Sequence, residues 1–326
     1  MNIFFSLDDH YVPYMSVLLA SMLEHASDGH QYILHILSRG LKKKNCLLLE
    51  KQIAGDSRFS MEFVDVERYL GDRQFYTESR KDLNQSIYYR LLIPYMFPEL
   101  DEAVYLDGDM IALTDIARLE NVKTDSCLLA AVRDYQGLSS IYTPATDERR
   151  YYEEELELSD VDEVIISGLL VLNMKAFREK WSMKEMLDLA GSREWRHHDQ
   201  DILNVLSAGN KILLDARWNI LPDIGIYRHL PDRLYEEWRK GAEKPYVIHF
   251  GGNRKPWQYP NIPYAKYFWH YAKKTPFLKE IRRRRIQEFL HSRSFRLVFM
   301  EQVIVPFGSR RRAAVRRIWR SIRPLK

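Results

Sequence analysis

Cysteine is nearly missing: Cys46 and Cys127 are the two in 326 residues. That excludes a disulfide framework and a cysteine-rich zinc site, and it fits a reducing, cytoplasmic interior. Long apolar runs are missing as well. No stretch approaches the roughly 18 apolar residues that a spanning helix needs. The opening Met1-Asn-Ile-Phe-Phe-Ser6 has no basic region followed by an apolar one, so no signal peptide is expected. No G-x-G-x-x-G and no P-loop is present, which argues against a standard dinucleotide or kinase-like site.

What is present is a mostly globular composition with uneven charge. Hydrophobic residues make up 46% of the chain and charged ones 29%, enough for a substantial core in one large α/β domain, with or without an appendage. The net charge of +4 is not spread evenly. Lys279 to Lys326 holds fifteen Lys/Arg against three Asp/Glu, so this tail carries +12 and the preceding 278 residues carry −8. We divide the chain accordingly into a body, 1–278, and a basic tail, 279–326.

The body alternates strand-like and helix-like segments. Asn2–Ser6, Gln31–Ser38, Met61–Val66, Ala103–Leu106, Leu128–Val132 and Val164–Asn173 read as strands. Tyr11–His25 and Lys42–Ala54 have helical spacing, and Ser86–Met96 looks helical until Pro94. Such alternation predicts a mixed, mostly parallel sheet with ligands at the carboxyl edge of its strands. Gln136–Asp160 is polar, acidic and poor in regular signals, and reads as a mobile or acceptor-facing insertion.

One stretch organises the rest: Ala103-Val-Tyr-Leu-Asp-Gly-Asp-Met110, a buried strand ending in two carboxylates. Asp107 and Asp109 repel each other unless a cation sits between them, and their oxygens suit Mg²⁺ or Mn²⁺. Gly108 between them permits close approach of another group, although Asp-Gly is also ordinary turn chemistry. Arg90 either snorkels to the surface or turns inward to pair with Asp107. Ser167-Gly168 interrupts an apolar strand, as a simple bulge or as a point of close approach. Asp199 reads as the N-cap of a helix Gln200–Leu206, with Asp199, Gln200 and Asp201 at a site lip; the adjacent His197 and His198 do not share a helix face, which weakens a zinc reading. Trp218-Asn219 reads as a loop with a stacking aromatic. Tyr246 to His249 is a short strand, and the Gly-rich loop after it delivers Lys255 as a point charge for phosphates.

Five blocks in order, Phe-Phe-Ser-Leu-Asp-Asp-His-Tyr (4–11), Ser-Ile-Tyr-Tyr-Arg (86–90), Val-Tyr-Leu-Asp-Gly-Asp (104–109), Asp-Gln-Asp-Ile-Leu-Asn (199–204) and His-Phe-Gly-Gly-Asn-Arg-Lys-Pro-Trp (249–257), resemble the family-8 retaining glycosyltransferases. The resemblance covers roughly residues 1 to 270. It implies the GT-A fold and a metal-dependent transfer of galactose or glucose from a UDP-sugar to a glycan or lipid-linked acceptor, as in lipopolysaccharide or surface polysaccharide synthesis. By that resemblance Asp107, Asp109 and His249 bind Mn²⁺ or Mg²⁺. Ser6, Asp8, Arg90, Asp107, Ser167, Asp199, Gln200, Gly252 and Lys255 hold the donor, and Asp199, Gln200 or Asp201 serves the far face of the sugar during catalysis. The chain departs from the family pattern at Ile166, where an Asn is usual, and at His10, where some relatives carry Asn.

Two other readings stand beside this one. A haloacid dehalogenase-type phosphatase also ends a strand in Asp-Gly-Asp, but usually on its first strand, whereas here the motif follows the fourth. An inactive membrane-associated carbohydrate-binding protein is compatible with Ile166. The tail interleaves Arg282–Arg285 and Arg310–Arg312 with Phe295, Leu297, Val298, Phe299, Val303 and Ile304, and Val315, Ile318 and Trp319 with further arginines. That pattern predicts an amphipathic segment on an anionic membrane surface, at the inner face, rather than nucleic-acid binding.

Overall fold

The computed structural model describes residues 1–70, 75–76, 85–144, 146–291 and 309–314. Its strands are β1 (Asn2–Ser6), β2 (Tyr32–Ser38), β3 (Phe59–Asp65), β4 (Glu102–Leu106), β5 (Met110–Ala112), β6 (Leu129–Arg133), β7 (Ile165–Asn173), β8 (Lys211–Leu213) and β9 (Val247–His249). Seven of them form one sheet in the order β3-β2-β1-β4-β7-β6-β8, with β4 at its centre. The neighbours β3, β2, β1 and β4 run parallel, β7 runs antiparallel to β4 and β6, and β8 is parallel to β6. The sheet is therefore mixed and mostly parallel, as the alternation of segments predicts.

This topology decides where chemistry can sit. The carboxyl ends of β1, β4 and β6 and the amino end of β7 share one edge of the sheet. Ser6, Asp107, Asp134 and the Ile166–Gly168 segment consequently converge there. All nine residues of β7 are buried, so it packs on both faces, as strands covered by helices do. Its pairing with β6 slips between Ala131↔Leu170 and Arg133↔Ile165. Residues 166–169 form the longer side of that irregularity, a device that re-aims side chains beside functional sites.

The second sheet is a two-stranded clip. After Asp109 the chain enters β5, which pairs antiparallel with β9 so that Met110 faces His249. Phe250 N donates to Asp109 O at 3.0 Å and closes the clip. The helix Val12–His25 lies beneath, with Val12 through Met22 all buried.

Three local expectations change. Pro94 does not end its helix: a 3₁₀ helix, Gln85–Leu92, passes into a short α-helix, Ile93–Met96, with Pro94 in its first turn. Proline fits there because a first-turn N–H has no intrahelical partner to lose. The Gln136–Asp160 stretch is folded onto the body, through the helices Tyr135–Ile141 and Glu148–Arg150 and a π-helical turn, Tyr151–Glu155. Tyr151 and Tyr152 are buried and anchor it, so its polar sequence describes an outer surface over an aromatic base. Finally, the helix Leu278–His291 carries the body past residue 278. Ile281 is fully buried, and Arg284 Nη1 donates to His10 O at 2.5 Å. The tail segments around Phe295–Ile304 and Val315–Arg323 lie outside the described residues. No described helix is long and apolar enough to cross a membrane.

Candidate active site

At the carboxyl edge of the sheet lies a cleft of about 670 Å³, lined by residues from all the converging strand ends. Its floor is the β4–β5 turn. Asp107 Oδ2 lies 3.6 Å from His249 Nε2, and Asp109 Oδ1 lies 3.3 Å from the same nitrogen. One donor atom from each of Asp107, Asp109 and His249 falls within a 4.8 Å cluster. The imidazole is aimed by its other nitrogen. Asn219 Oδ1 sits 2.9 Å from His249 Nδ1, so Nδ1–H donates to it and Nε2 presents its lone pair to the carboxylates. Asn219 is itself placed by the bridge between Ile220 and Ile248.

Gly168 explains why the three ligands fit. A Cβ there would lie 2.4 Å from His249 Cε1 and 2.9 Å from Asp107 Oδ2. Both readings of Ser167-Gly168 therefore hold, since the segment is an irregularity and also a point of close approach. Two oxygens and one imidazole nitrogen, converging on space that a side chain would fill, fit a Mn²⁺- or Mg²⁺-sized ion.

A buried cation, Arg90, and a half-buried one, Lys255, neutralise the carboxylates. Arg90 turns inward: Nη2 donates to Asp107 Oδ1 at 2.9 Å and Nη1 donates to Ser167 O at 2.5 Å. Its Nε lies 3.1 Å from Asp199 Oδ2, and the guanidinium covers the Tyr105 ring at 4.2 Å. Lys255 Nζ sits 2.5 Å from Asp109 Oδ2 and donates to Phe250 O at 2.8 Å. Burial opposes the charge on Asp109, yet Lys255 and His249 hold its carboxyl well below the usual range. Burial likewise opposes the Lys255 charge, and Asp109 overrides it and raises the ammonium further. Asp199 is different: burial pushes it up to about 6 despite Arg90, whose pull is downward.

The Asp199–Asp201 trio separates into distinct positions. The helix runs Asp199–Leu206, so Asp199 is its first residue rather than its cap; His198 takes the cap position with φ 57°. Gln200 lines the cleft, accepting from Ser167 N at 3.3 Å and donating to Asp134 Oδ2 at 2.8 Å. Asp201 is fully buried, with Oδ2 accepting from Tyr151 OH at 2.5 Å and His197 N at 2.7 Å. In the first loop, Ser6, Leu7 and Tyr11 line the cleft, while Asp8 Oδ1 accepts from Tyr11 N at 2.9 Å. Burial pushes the Tyr11 phenol up to about 12. Gly252 lines the cleft with φ +71°, a conformation that favours glycine. Ile166 also lines it. Trp218 is buried edge-on against Tyr246, not displayed for stacking.

Asp134 escaped the sequence reading. It lines the cleft, caps the next helix by accepting from Gly137 N at 2.8 Å, and holds Gln200. Its signal was there: an acid directly after an apolar strand whose end shares the Asp107 edge. Glu148 and His197 were missed as a pair. Their side chains meet at 3.2 Å on the cleft wall, joining the folded insertion to the residues before Asp199.

A family model described as Glycosyl transferase family 8 matches residues 2–260. General stress protein A of Bacillus subtilis (strain 168) is 23% identical over 286 residues, covering 84% of this chain and 94% of that protein. The lipopolysaccharide 1,2-glucosyltransferase of Escherichia coli (strain K12) is 22% identical over 82% of this chain and 76% of its own length. Among solved structures, the WbbM bifunctional glycosyltransferase superposes with a TM-score of 0.79 at 24% identity, covering 88% of this chain and 52% of that longer one. The galactosyltransferase LgtC, solved with donor and acceptor sugar analogues, gives 0.69 at 22% identity over 85% of this chain and 96% of its own. At these identities the structural likeness is one of fold.

Proposed function

The chain belongs to glycosyl transferase family 8 and has the GT-A fold; on that footing we propose that it is a metal-dependent, retaining hexosyltransferase using a UDP-sugar. Family membership displaces the phosphatase reading. The observation that carries the proposal is the convergence of Asp107, Asp109 and His249 within 4.8 Å at the floor of the cleft, with Lys255 on Asp109. When bound on those three residues, a divalent cation such as Mn²⁺ supplies a Lewis acid for the departing diphosphate.

The chain's own residues do the rest. Ser6, Asp8 and the first loop receive the uracil, and Gly252 lets the backbone come close to the phosphates, where Lys255 adds a fixed positive charge. Arg90, Ser167 and Gln200 orient the donor sugar. Of the three far-face candidates, Gln200 lines the cleft, its side-chain oxygen accepting from Ser167 N at 3.3 Å, whereas Asp199 and Asp201 lie off the cleft lining, paired with Arg90 and with Tyr151. That arrangement favours attack from the leaving-group face over a covalent intermediate on either carboxylate. In this scheme the C1–phosphate bond breaks as the acceptor oxygen bonds to C1. The acceptor proton passes to the departing phosphate oxygen, and the Gln200 carbonyl stabilises the positive charge developing on the sugar. Asp199 and Asp201 position the helix start.

The names of the relatives support a hexose donor, glucose or galactose, and a lipopolysaccharide or surface glycan as acceptor. The basic tail supports work at the inner face of a membrane, on a lipid-linked acceptor. Calorimetry is expected to find UDP binding that needs Mn²⁺, followed by hydrolysis of UDP-glucose or UDP-galactose; no UDP binding with or without Mn²⁺ sinks the assignment. For the tail, truncation belongs after His291, because Ile281 is in the core. A 1–291 chain is expected to keep donor hydrolysis and lose flotation with anionic liposomes. Unchanged flotation removes the membrane role.

A further inference from the structure

We propose that Lys255 is a resident counter-cation of the metal site, holding its affinity for a free divalent cation low until a nucleoside diphosphate draws the ammonium off Asp109. This rests on the donor-site reading above and names how that site is regulated.

The argument begins with the local charges. Asp107 is paired with Arg90 at 2.9 Å and Asp109 with Lys255 at 2.5 Å. A histidine ligand contributes no charge. Asp199 also leans on Arg90, at 3.1 Å, so three carboxylates and two cations sum to −1, and a cation arriving alone brings +2 to a cluster that offsets only half of it. The geometry sharpens the conflict. Asp109 turns Oδ1 toward His249 and gives Oδ2 to Lys255, so a bound cation and the ammonium would share one carboxylate. Such repulsion is weakly screened in a buried site. A nucleoside diphosphate brings negative charge of its own and gives the ammonium an alternative partner, so cation and diphosphate are favoured as a pair.

The two resident cations differ in freedom. Arg90 is pinned by Ser167 O, Ile87 O, Asp107, Asp199 and the Tyr105 ring. Lys255 has a flexible stem and is more exposed than Arg90; besides Asp109 it holds the carbonyl of Phe250 at the start of its own glycine-bearing loop and the Tyr11 phenol, with the Trp257 ring at 5.9 Å. A Cβ at Gly252 would meet nothing closer than Gln136 Oε1 at 4.0 Å, so the loop has room beside it. Lys255 is the cation that can leave.

The test is MnCl₂ titration of the full chain by calorimetry, with and without UDP. Lys255→Met is expected to bind Mn²⁺ alone about tenfold more tightly than wild type, within the usual span of site coupling. The gain in Mn²⁺ affinity produced by UDP should shrink in the same variant. Lys255→Gln keeps a donor toward Asp109 without the charge, so it should show the same tightening and serves if the methionine variant fails to fold. Lys255→Arg should match wild type for Mn²⁺ alone. Equal or weaker Mn²⁺ binding by both neutral variants overturns the proposal while leaving the donor site intact. Wild type that binds no Mn²⁺ even with UDP overturns the donor-site reading and this inference with it.

Discussion

Asp109→Ala is expected to abolish Mn²⁺-dependent UDP binding and to lower donor turnover by roughly a thousandfold. The variant should still fold. Asp109 contributes to the β5–β9 clip through its backbone oxygen, which accepts from Phe250 N whatever the side chain. What disappears is one of the three converging ligands, the one that also holds Lys255. The half-buried ammonium then keeps Phe250 O, the Tyr11 phenol and the Trp257 ring but no counter-charge on Asp109, so a modest loss of stability accompanies the loss of binding. Asp109→Asn separates the two effects, because it keeps the shape and removes the charge. Calorimetry with UDP and Mn²⁺, beside circular dichroism, reads both. Full metal-dependent binding in a folded Asp109→Ala chain removes this residue from the metal set.

The largest expected effect on stability belongs to Arg90→Met. Methionine fills much of the volume but leaves Asp107 and Asp199 facing each other without the guanidinium between them. Removing one member of a buried ion pair costs about 3–5 kcal/mol, because the partner charge stays behind. The loss should depend on pH, with a sign that follows from Asp199. Its folded value, about 6, lies above the ordinary carboxylate range. A group raised on folding stabilises fully below its unfolded value, and that contribution fades as pH rises through the folded one. Arg90 is the influence pulling Asp199 down, so its removal raises Asp199 further. Near pH 5 Asp199 is protonated with or without Arg90 and the deficit is small; as pH rises past about 6 wild type gains the Arg90–Asp199 ion pair, the variant has no partner for that charge, and the deficit grows. Urea unfolding at the two values measures this. A deficit equal at both pH values assigns the loss to packing, and one below about 1 kcal/mol is what an exposed pair gives, which would remove Arg90 from the centre of the network.

The frame of the site was legible because strand ends advertise themselves. An apolar run closed by Asp107-Gly-Asp109, and another closed by His249, announce both a buried strand and an unusual terminus. Their meeting was not legible. It depends on β5 pairing with β9 across the 134 residues between Ala112 and Val247, which no local pattern encodes. Pairing also decides the fate of Arg90, where the pull of Asp107 and Asp199 outweighs the ordinary tendency of arginine to reach water. The helices of the insertion were hidden for a related reason. Apart from Glu148 its acids face outward and dominate the composition, while Tyr151, Tyr152, Leu156 and Leu158, which hold it down, are scattered in a polar run. Asp199 was read as a cap because Asp usually is one. Here His198 accepts a strained backbone at that place, and Asp199 is drawn inside the first turn, where a cation waits for it. Asp134 shows the opposite case: its pattern was visible, but only the strand order gives it meaning.

Gly168 carries a consequence for reading other genomes. Its lack of a side chain leaves the space in which Asp107 and His249 approach each other, and it lies in a strand that would remain paired with any small residue in its place. A relative that keeps both aspartates and the histidine but bears a methyl group or more at this position would pass as an enzyme on its motifs. Its metal site would nevertheless be sterically closed.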